Sequence, residues 1–332
     1  MWNSRTCRAD GVAAAPLIGR RRGAFLALTL AVAAAGCGGG GGTSPPSPPE
    51  NGGNGGGPPP PAVPNLFALA PGGMPVGVAV PAGNFANSLH GSTTRQQVVD
   101  AHFSQLTAEN IMKPSYLQPA EGVFHFDDAD ALVAYAEARG MSLHGHTLLW
   151  HQQLPAWMET FEGDAAEWAS VMSTHIGTVA AHFAGSSTLV SWDVVNEAFT
   201  DDDPSDYRDT IWYRRIGPDY IEQAFRTARA ADPTADLYYN DYDISGKNGT
   251  HKLDRVLVMA DDFLARGVPI DGIGFQMHID ADHPPADAIR QAFAKVVARG
   301  LKVRISELDI SVNRDENLSR LTTEVADLQR LK

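Results

Sequence analysis

After Pro64 this 332-residue chain alternates short apolar runs of β character with longer stretches of helical spacing, and that alternation limits its fold more than any other feature. Strands are predicted over 76–80, 105–110, 142–149, 189–196, 236–240, 272–278 and 301–308. Helical spacing lies between most of them, over 129–139, 165–183, 220–231, 252–266 and 285–299, and again from 318 to 332. Gly140, Gly267 and Gly300 each stand just past a helical run, where a left-handed C-cap is wanted. Such alternation implies parallel strands joined by crossover helices, in either an open doubly wound sheet or a (β/α)8 barrel.

Polar residues choose between the two. Glu109-Asn110, His144 and His146, Asn196-Glu197, Asn240-Asp241, Gln276 and His278, and Glu307 with Asp309 all fall toward the C-terminal ends of their strands. A barrel gathers those ends on one face as its site, whereas a doubly wound sheet concentrates ligand residues at one switch point. No Gly-rich phosphate loop follows the first strand. The expected fold class is therefore α/β, a (β/α)8 TIM barrel. Seven strands are legible, and the eighth β/α unit has no counterpart in the given sequence, so an open-edged, poorly stable barrel, weakly active or inactive although Glu197 and Glu307 are both retained, is expected.

Charge and cysteine content exclude other classes. With 26 Lys plus Arg against 39 Asp plus Glu, the net charge of −13 repels phosphate backbones, so nucleic acid is not an expected partner. Two cysteines, Cys7 and Cys37, build neither a disulfide framework nor a Cys-rich zinc site. His144, His146 and His151 raise a metal hypothesis, but no His-Glu-x-x-His segment accompanies them and no metal is expected. His144, alternating with His146 on one strand, is expected to be structural.

The N-terminus reads as an address and a tether. Arg20, Arg21 and Arg22 precede an apolar run over 24–35 that is too short to span a bilayer, followed by Gly36 and Cys37. Ala34-Ala35-Gly36-Cys37 resembles the bacterial lipoprotein box, with Ala34 where Leu is usual, so residues 1–37 are expected to be a signal whose Cys37 becomes lipidated. A plain secretory signal cleaved nearby is the alternative, and the arginines also hint at twin-arginine export. Residues 38–64, almost only Gly, Pro, Ser and Asn, form a linker without core material, leaving 65–332 as the folded domain. The expected location is outside the bacterial cytoplasm, as a membrane-anchored lipoprotein (periplasmic or cell-surface) or a secreted protein.

Glu197 closes the segment Trp192-Asp193-Val194-Val195-Asn196-Glu197, and Glu307 sits in Arg304-Ile305-Ser306-Glu307-Leu308-Asp309. Taken singly, either acid also fits a structural residue paired with Arg or Lys. Two carboxylates on strands four and seven of one barrel suit glycoside cleavage, in which one acid protonates the leaving oxygen and a second carboxylate attacks the sugar carbon or activates water. Asn196 is placed to bind a sugar hydroxyl or position the acid, and His278 and Asp309 to hydrogen-bond Glu307 and hold it charged.

Five strand-end segments, WDVVNEA, GHTLLWHQQLPAW, YYNDYD, GFQMHI and RISELDI, together resemble glycoside hydrolase family 10, the endo-1,4-β-xylanases, from about Pro75 onward. The resemblance implies a cofactor-independent retaining enzyme, expected to be a monomer, acting on xylan or xylo-oligosaccharides. Glu197 would be its proton donor and then base, and Glu307 its nucleophile, with the carboxyls about 5 to 5.5 Å apart. It further implies that Glu109, Asn110 and Lys113 hold the sugar two places to the non-reducing side of the cut. His146, Trp150 and Gln153 would line the cleaved sugar, and Gln276 and His278 would contact its 2-hydroxyl and the nucleophile. In place of the family's aromatic residue soon after that lysine, Lys113 is followed by Pro114, Ser115 and Tyr116. A barrel hydrolase acting on cellulose or another β-glucan, and a non-catalytic carbohydrate-binding lipoprotein, are the competing functions.

Overall fold

The computed structural model describes residues 64–246 and 251–311. The expected signal over 1–37 with its Cys37, most of the expected linker and the helical run expected over 318–332 lie outside the described residues. The strands are β1 (Gly77–Val80), β2 (Gln105–Ala108), β3 (Ser142–Leu149), β4 (Leu189–Asn196), β5 (Asp236–Asp241), β6 (Gly272–Phe275), β7 (His278–Asp280), β8 (Lys302–Ile305) and β9 (Asp309–Ser311). Crossover helices are α1 (Thr93–His102), α2 (Asp127–Glu137), α3 (Ala165–Phe183), α4 (Tyr220–Ala231), α5 (His251–Arg266) and α6 (Ala286–Val297).

Seven strands form one curled parallel sheet in the order β1-β2-β3-β4-β5-β6-β8, while β7 and β9 pair separately beyond its C-terminal edge. Each strand of the main sheet thus lies beside the next one of that sheet in sequence. A doubly wound sheet reverses direction at its switch point, and the absence of any reversal among the described residues is the topology of a (β/α)8 barrel. Among the described residues β1 and β8 pair on one side only.

The expected elements are nearly all present, with β3, β4, α3 and α4 matching residue for residue. Gly140, Gly267 and Gly300 have φ of 64°, 63° and 78°, the left-handed caps foreseen. Helix α1 is absent from the sequence reading because its residues, TTRQQVVDAH, carry no apolar period, and only Val99 is buried. Its start is fixed instead by Ser92, whose side chain accepts from the Arg95 amide.

Strands β3 to β6 are buried on both faces, and their two faces differ in chemistry. Outward, Trp192 packs on Phe183 of α3 with ring centroids 5.9 Å apart. It lies over Gly145, where a β-carbon would fall 2.1 Å from the indole. Inward and toward the strand ends stand polar side chains with little or no exposure: His144, His146, Asp193, Asn196, Asn240 and Gln276. Buried polar groups at this density need one another as partners.

Candidate active site

Glu197 is the first residue past β4 and has φ of 59°, a left-handed conformation costly for a side chain with a β-carbon. The turn aims its carboxylate back over the barrel mouth. Oε1 accepts from Gln276 Nε2 at 3.0 Å and from Asn196 Nδ2 at 3.2 Å, and Oε2 accepts from the Trp150 indole N–H at 3.0 Å. Trp150, expected to line the cleaved sugar, is therefore also a direct partner of this acid.

Glu307 lies two residues past β8. Its Oε1 accepts from Asn240 Nδ2 at 2.9 Å, and its Oε2 is 3.4 Å from His278 Nε2. Burial pushes the Glu307 carboxyl upward, but the bonds from His278 and Asn240 and the nearby His146 outweigh it, leaving it below the usual range and ionised. His278 is raised to about 9, chiefly by its bond to Glu307 and then, against the opposing effect of burial, by Asp309. One expectation needs correcting: the contact found for Asp309 is to His278 Nδ1, at 2.6 Å, so it orients the imidazole and acts on Glu307 through it. Direct approach would have set two carboxylates against each other.

A continuous chain of amides joins the acids. Gln276 Nε2 bonds both Glu197 Oε1 and Asn196 Oδ1 (3.2 Å), and Asn240 Nδ2 bonds both Asn196 Oδ1 (3.0 Å) and Glu307 Oε1. Ser306 Oγ donates to Asn240 Oδ1 at 2.7 Å, which fixes the amide so that its N–H groups face Asn196 and Glu307. Gly274 makes room, since a β-carbon there would sit 2.4 Å from Asn240 Oδ1.

Asp193 anchors the β3 histidines. His146 Nδ1 and His144 Nε2 each lie 2.9 Å from Asp193 Oδ2, and His144 Nδ1 is 2.7 Å from Ser191 Oγ. Burial holds the His144 imidazole near 4, hence neutral, in keeping with the structural part expected of it. Held by Nδ1, His146 keeps Nε2 for a ligand. On the other flank Asn110 Oδ1 accepts from Lys113 Nζ (3.4 Å) and Gln153 Nε2 (3.3 Å), while Lys113 Nζ lies 5.1 Å above the Trp150 ring. Burial lowers the Lys113 ammonium, countered by Glu307, Glu109 and Glu197 in that order, so its charge faces all three carboxylates. Asn110, Gln153 and Glu109 are exposed.

The expected site residues thus gather at one barrel mouth. Missing from the expectation were Asn240, Ser306 and Asp193 as partners. Asn240 and Asp193 stood in the quoted segments YYNDYD and WDVVNEA, but which neighbours they bond depends on inter-strand register, for which a single strand carries no signal.

The family model for glycosyl hydrolase family 10 matches residues 66–331. The chain belongs to that family. Endo-β-1,4-xylanase Xyn10C of Cellvibrio japonicus is 46% identical over 259 residues, covering 76% of this chain and 42% of that protein. Exoglucanase XynX of Acetivibrio thermocellus is 39% identical over 261 residues, covering 76% of this chain and 23% of that one. Among solved structures, xylanase10C of Cellvibrio japonicus in complex with xylopentaose superposes with a TM-score of 0.74 at 45% identity, covering 78% of this chain and 52% of that chain. The chain spans about two-fifths of the length of the first curated xylanases it matches.

Proposed function

We propose that this chain is a retaining endo-1,4-β-xylanase that cleaves internal linkages of xylan by double displacement. Membership of glycosyl hydrolase family 10 and the endo-xylanases among its relatives support the activity. The observation that carries the assignment of residues is the amide chain Gln276–Asn196–Asn240, which ties Glu197 and Glu307 to one mouth.

In the first step Glu307, ionised beside His278, attacks the anomeric carbon while Glu197 protonates the departing glycosidic oxygen, leaving a glycosyl ester on Glu307. In the second, Glu197 takes a proton from water, whose oxygen attacks the same carbon and returns Glu307 to its carboxylate. Gln276 and His278 contact the 2-hydroxyl of the cleaved sugar, with His146, Trp150 and Gln153 around it. Glu109, Asn110 and Lys113 bind the next sugar on the non-reducing side. Glu307, held below the usual carboxylate range, is ionised as a nucleophile requires.

A reducing-sugar assay tests the proposal. The wild type is expected to hydrolyse xylan in preference to carboxymethyl-cellulose, and Glu197→Gln and Glu307→Gln to lose about 10²-fold or more. Preference for carboxymethyl-cellulose would favour the β-glucanase reading, and xylan binding without hydrolysis would favour a binding protein. We propose further that residues 1–37 direct export, that Cys37 carries lipid, and that 38–64 space the barrel from the membrane. Detergent-phase partitioning lost on Cys37→Ser is the expected result, and unchanged partitioning would refute it.

A further inference from the structure

The peptide unit joining Glu197 to Ala198 is held at both ends, its carbonyl accepting from Arg208 Nε (3.0 Å) and its N–H donating to Tyr239 Oη (3.0 Å). Behind it the two anchors connect into a closed ring. Tyr239 Oη donates to Asp241 Oδ2 (2.5 Å), and Asp241 Oδ1 lies 2.8 Å from Lys252 Nζ. Lys252 Nζ also donates to Asp201 Oδ1 (2.8 Å), Asp201 Oδ2 accepts from Tyr242 Oη (2.7 Å), and that hydroxyl accepts from Arg208 Nη2 (2.8 Å). Lys252, the second residue of α5, is 2% exposed, and its ammonium sits 3.5 Å from the Tyr242 ring centroid.

The ring has a direction. An ionised Asp241 only accepts, so Tyr239 must give it the hydroxyl proton and turn a lone pair toward the Ala198 N–H. Burial pushes Asp241 up to about 6 even with the ammonium beside it. Without Lys252 the fully buried carboxylate loses its one ion-pair partner, keeping, besides Tyr239, only the Tyr242 amide at 2.9 Å and the field of Arg208, and takes up a proton more readily, becoming a donor that no longer dictates how the hydroxyl points. Both anchors then loosen together, because Asp201, which holds Tyr242 against Arg208, loses the same cation. A left-handed Glu197 persists only where its surroundings over-determine it. The amide of Gln276, whose side chain binds Glu197 Oε1, rests on the Asp241 carbonyl at 3.1 Å, so the ring touches that carboxylate by a second route.

We propose that Lys252 is a positioning residue for Glu197, acting through Asp241 and Tyr239 on one side and Asp201, Tyr242 and Arg208 on the other. The inference rests on the reading of Glu197 as the proton donor. It is tested in the full chain with Lys252→Met and with Tyr239→Phe, which removes a single hydroxyl and leaves every charge in place. Two xylobiosides serve as substrates: the phenyl glycoside, whose leaving group needs a proton, and the 2,4-dinitrophenyl glycoside, whose leaving group does not. Both variants are expected to lose about tenfold or more in kcat/KM on the phenyl substrate and under about threefold on the dinitrophenyl one. Amide exchange over 197–201, read by mass spectrometry, is expected to speed up about tenfold in both while β3 and β5 stay protected. Equal losses on the two substrates, or unchanged exchange in folded Tyr239→Phe, would overturn the proposal; if Lys252→Met does not fold, Tyr239→Phe decides it. A wild type inactive on both substrates would refute the reading of Glu197, and the exchange rates would then decide the ring alone.

Discussion

Replacing Asn240 by alanine removes one buried amide that three neighbours share. Its Nδ2 holds Glu307 Oε1 at 2.9 Å and Asn196 Oδ1 at 3.0 Å, and its Oδ1 receives Ser306 Oγ at 2.7 Å. Asn196 keeps Gln276 at 3.2 Å, so the loss falls on Ser306 and above all on the Glu307 carboxylate. A hydrogen bond to a charged acceptor contributes about 1.5–3 kcal/mol. At 1.36 kcal/mol per pKa unit, its removal raises the Glu307 carboxyl by about 1–2 units. The sign follows from what holds Glu307 low: burial acts upward and His278, His146 and Asn240 act downward, so deleting the amide lets burial gain. The acid limb of kcat/KM against pH reports that ionisation in the free enzyme and is expected to move to higher pH by about one unit or more. A thermal melt run alongside separates this from unfolding, since each kcal/mol lost lowers Tm by about 2–4 °C in a domain of this size. An acid limb that stays in place in a folded Asn240→Ala protein would refute the reasoning.

Three further outcomes are expected. Gly274→Ala places a β-carbon 2.4 Å from Asn240 Oδ1 and should shift the acid limb in the same sense as Asn240→Ala; a normal profile would mean the amide is not held there. His278 is raised from 6.5 to about 9, so the stability it gains from Glu307 and Asp309 is complete below about pH 6.5 and lost as pH rises through 9. The Tm gap between wild type and His278→Gln should therefore close between pH 6 and pH 10, and a constant gap would contradict the assignment. His175, fully buried with Nδ1 2.9 Å from Gln118 Oε1, is lowered to about 4 and stays neutral in the fold, so stability drops as pH falls from 6.5 toward 4. Urea unfolding of His175→Gln between pH 6.5 and 4.5 should show a pH slope shallower by about 1.4 kcal/mol per unit, and an unchanged slope would refute it.

The sequence disclosed the fold where burial is strong. Strands β3 and β4 and helices α3 and α4 are long and largely buried, so their limits could be read without neighbours. Helix α1 escaped because its ten residues bury one side chain and depend on the Ser92 cap. The acids Glu197 and Glu307 were legible because a carboxylate at the end of an apolar strand calls for a reason. Their partners were harder. Asn240 meets Asn196 and Gly274 only through the register of β5 with β4 and β6, and Lys252 reads as an ordinary surface residue of an amphipathic helix until α5 is seen to lower it between Asp201 and Asp241. Asp309 was placed in the right cluster but given the wrong neighbour, since which of two acids an imidazole bridges is a matter of loop geometry after β6 and β8.

Trapping the intermediate tests the central claim most directly. A 2-fluoro-xylobioside with a good leaving group slows the breakdown of a glycosyl ester more than its formation, so a retaining enzyme accumulates the ester. Intact-mass and peptide analysis is expected to find one fluoroxylobiosyl group on the Glu307 carboxylate, absent from Glu307→Gln. Attachment to Glu197, or continued xylan hydrolysis with no adduct, would contradict the account.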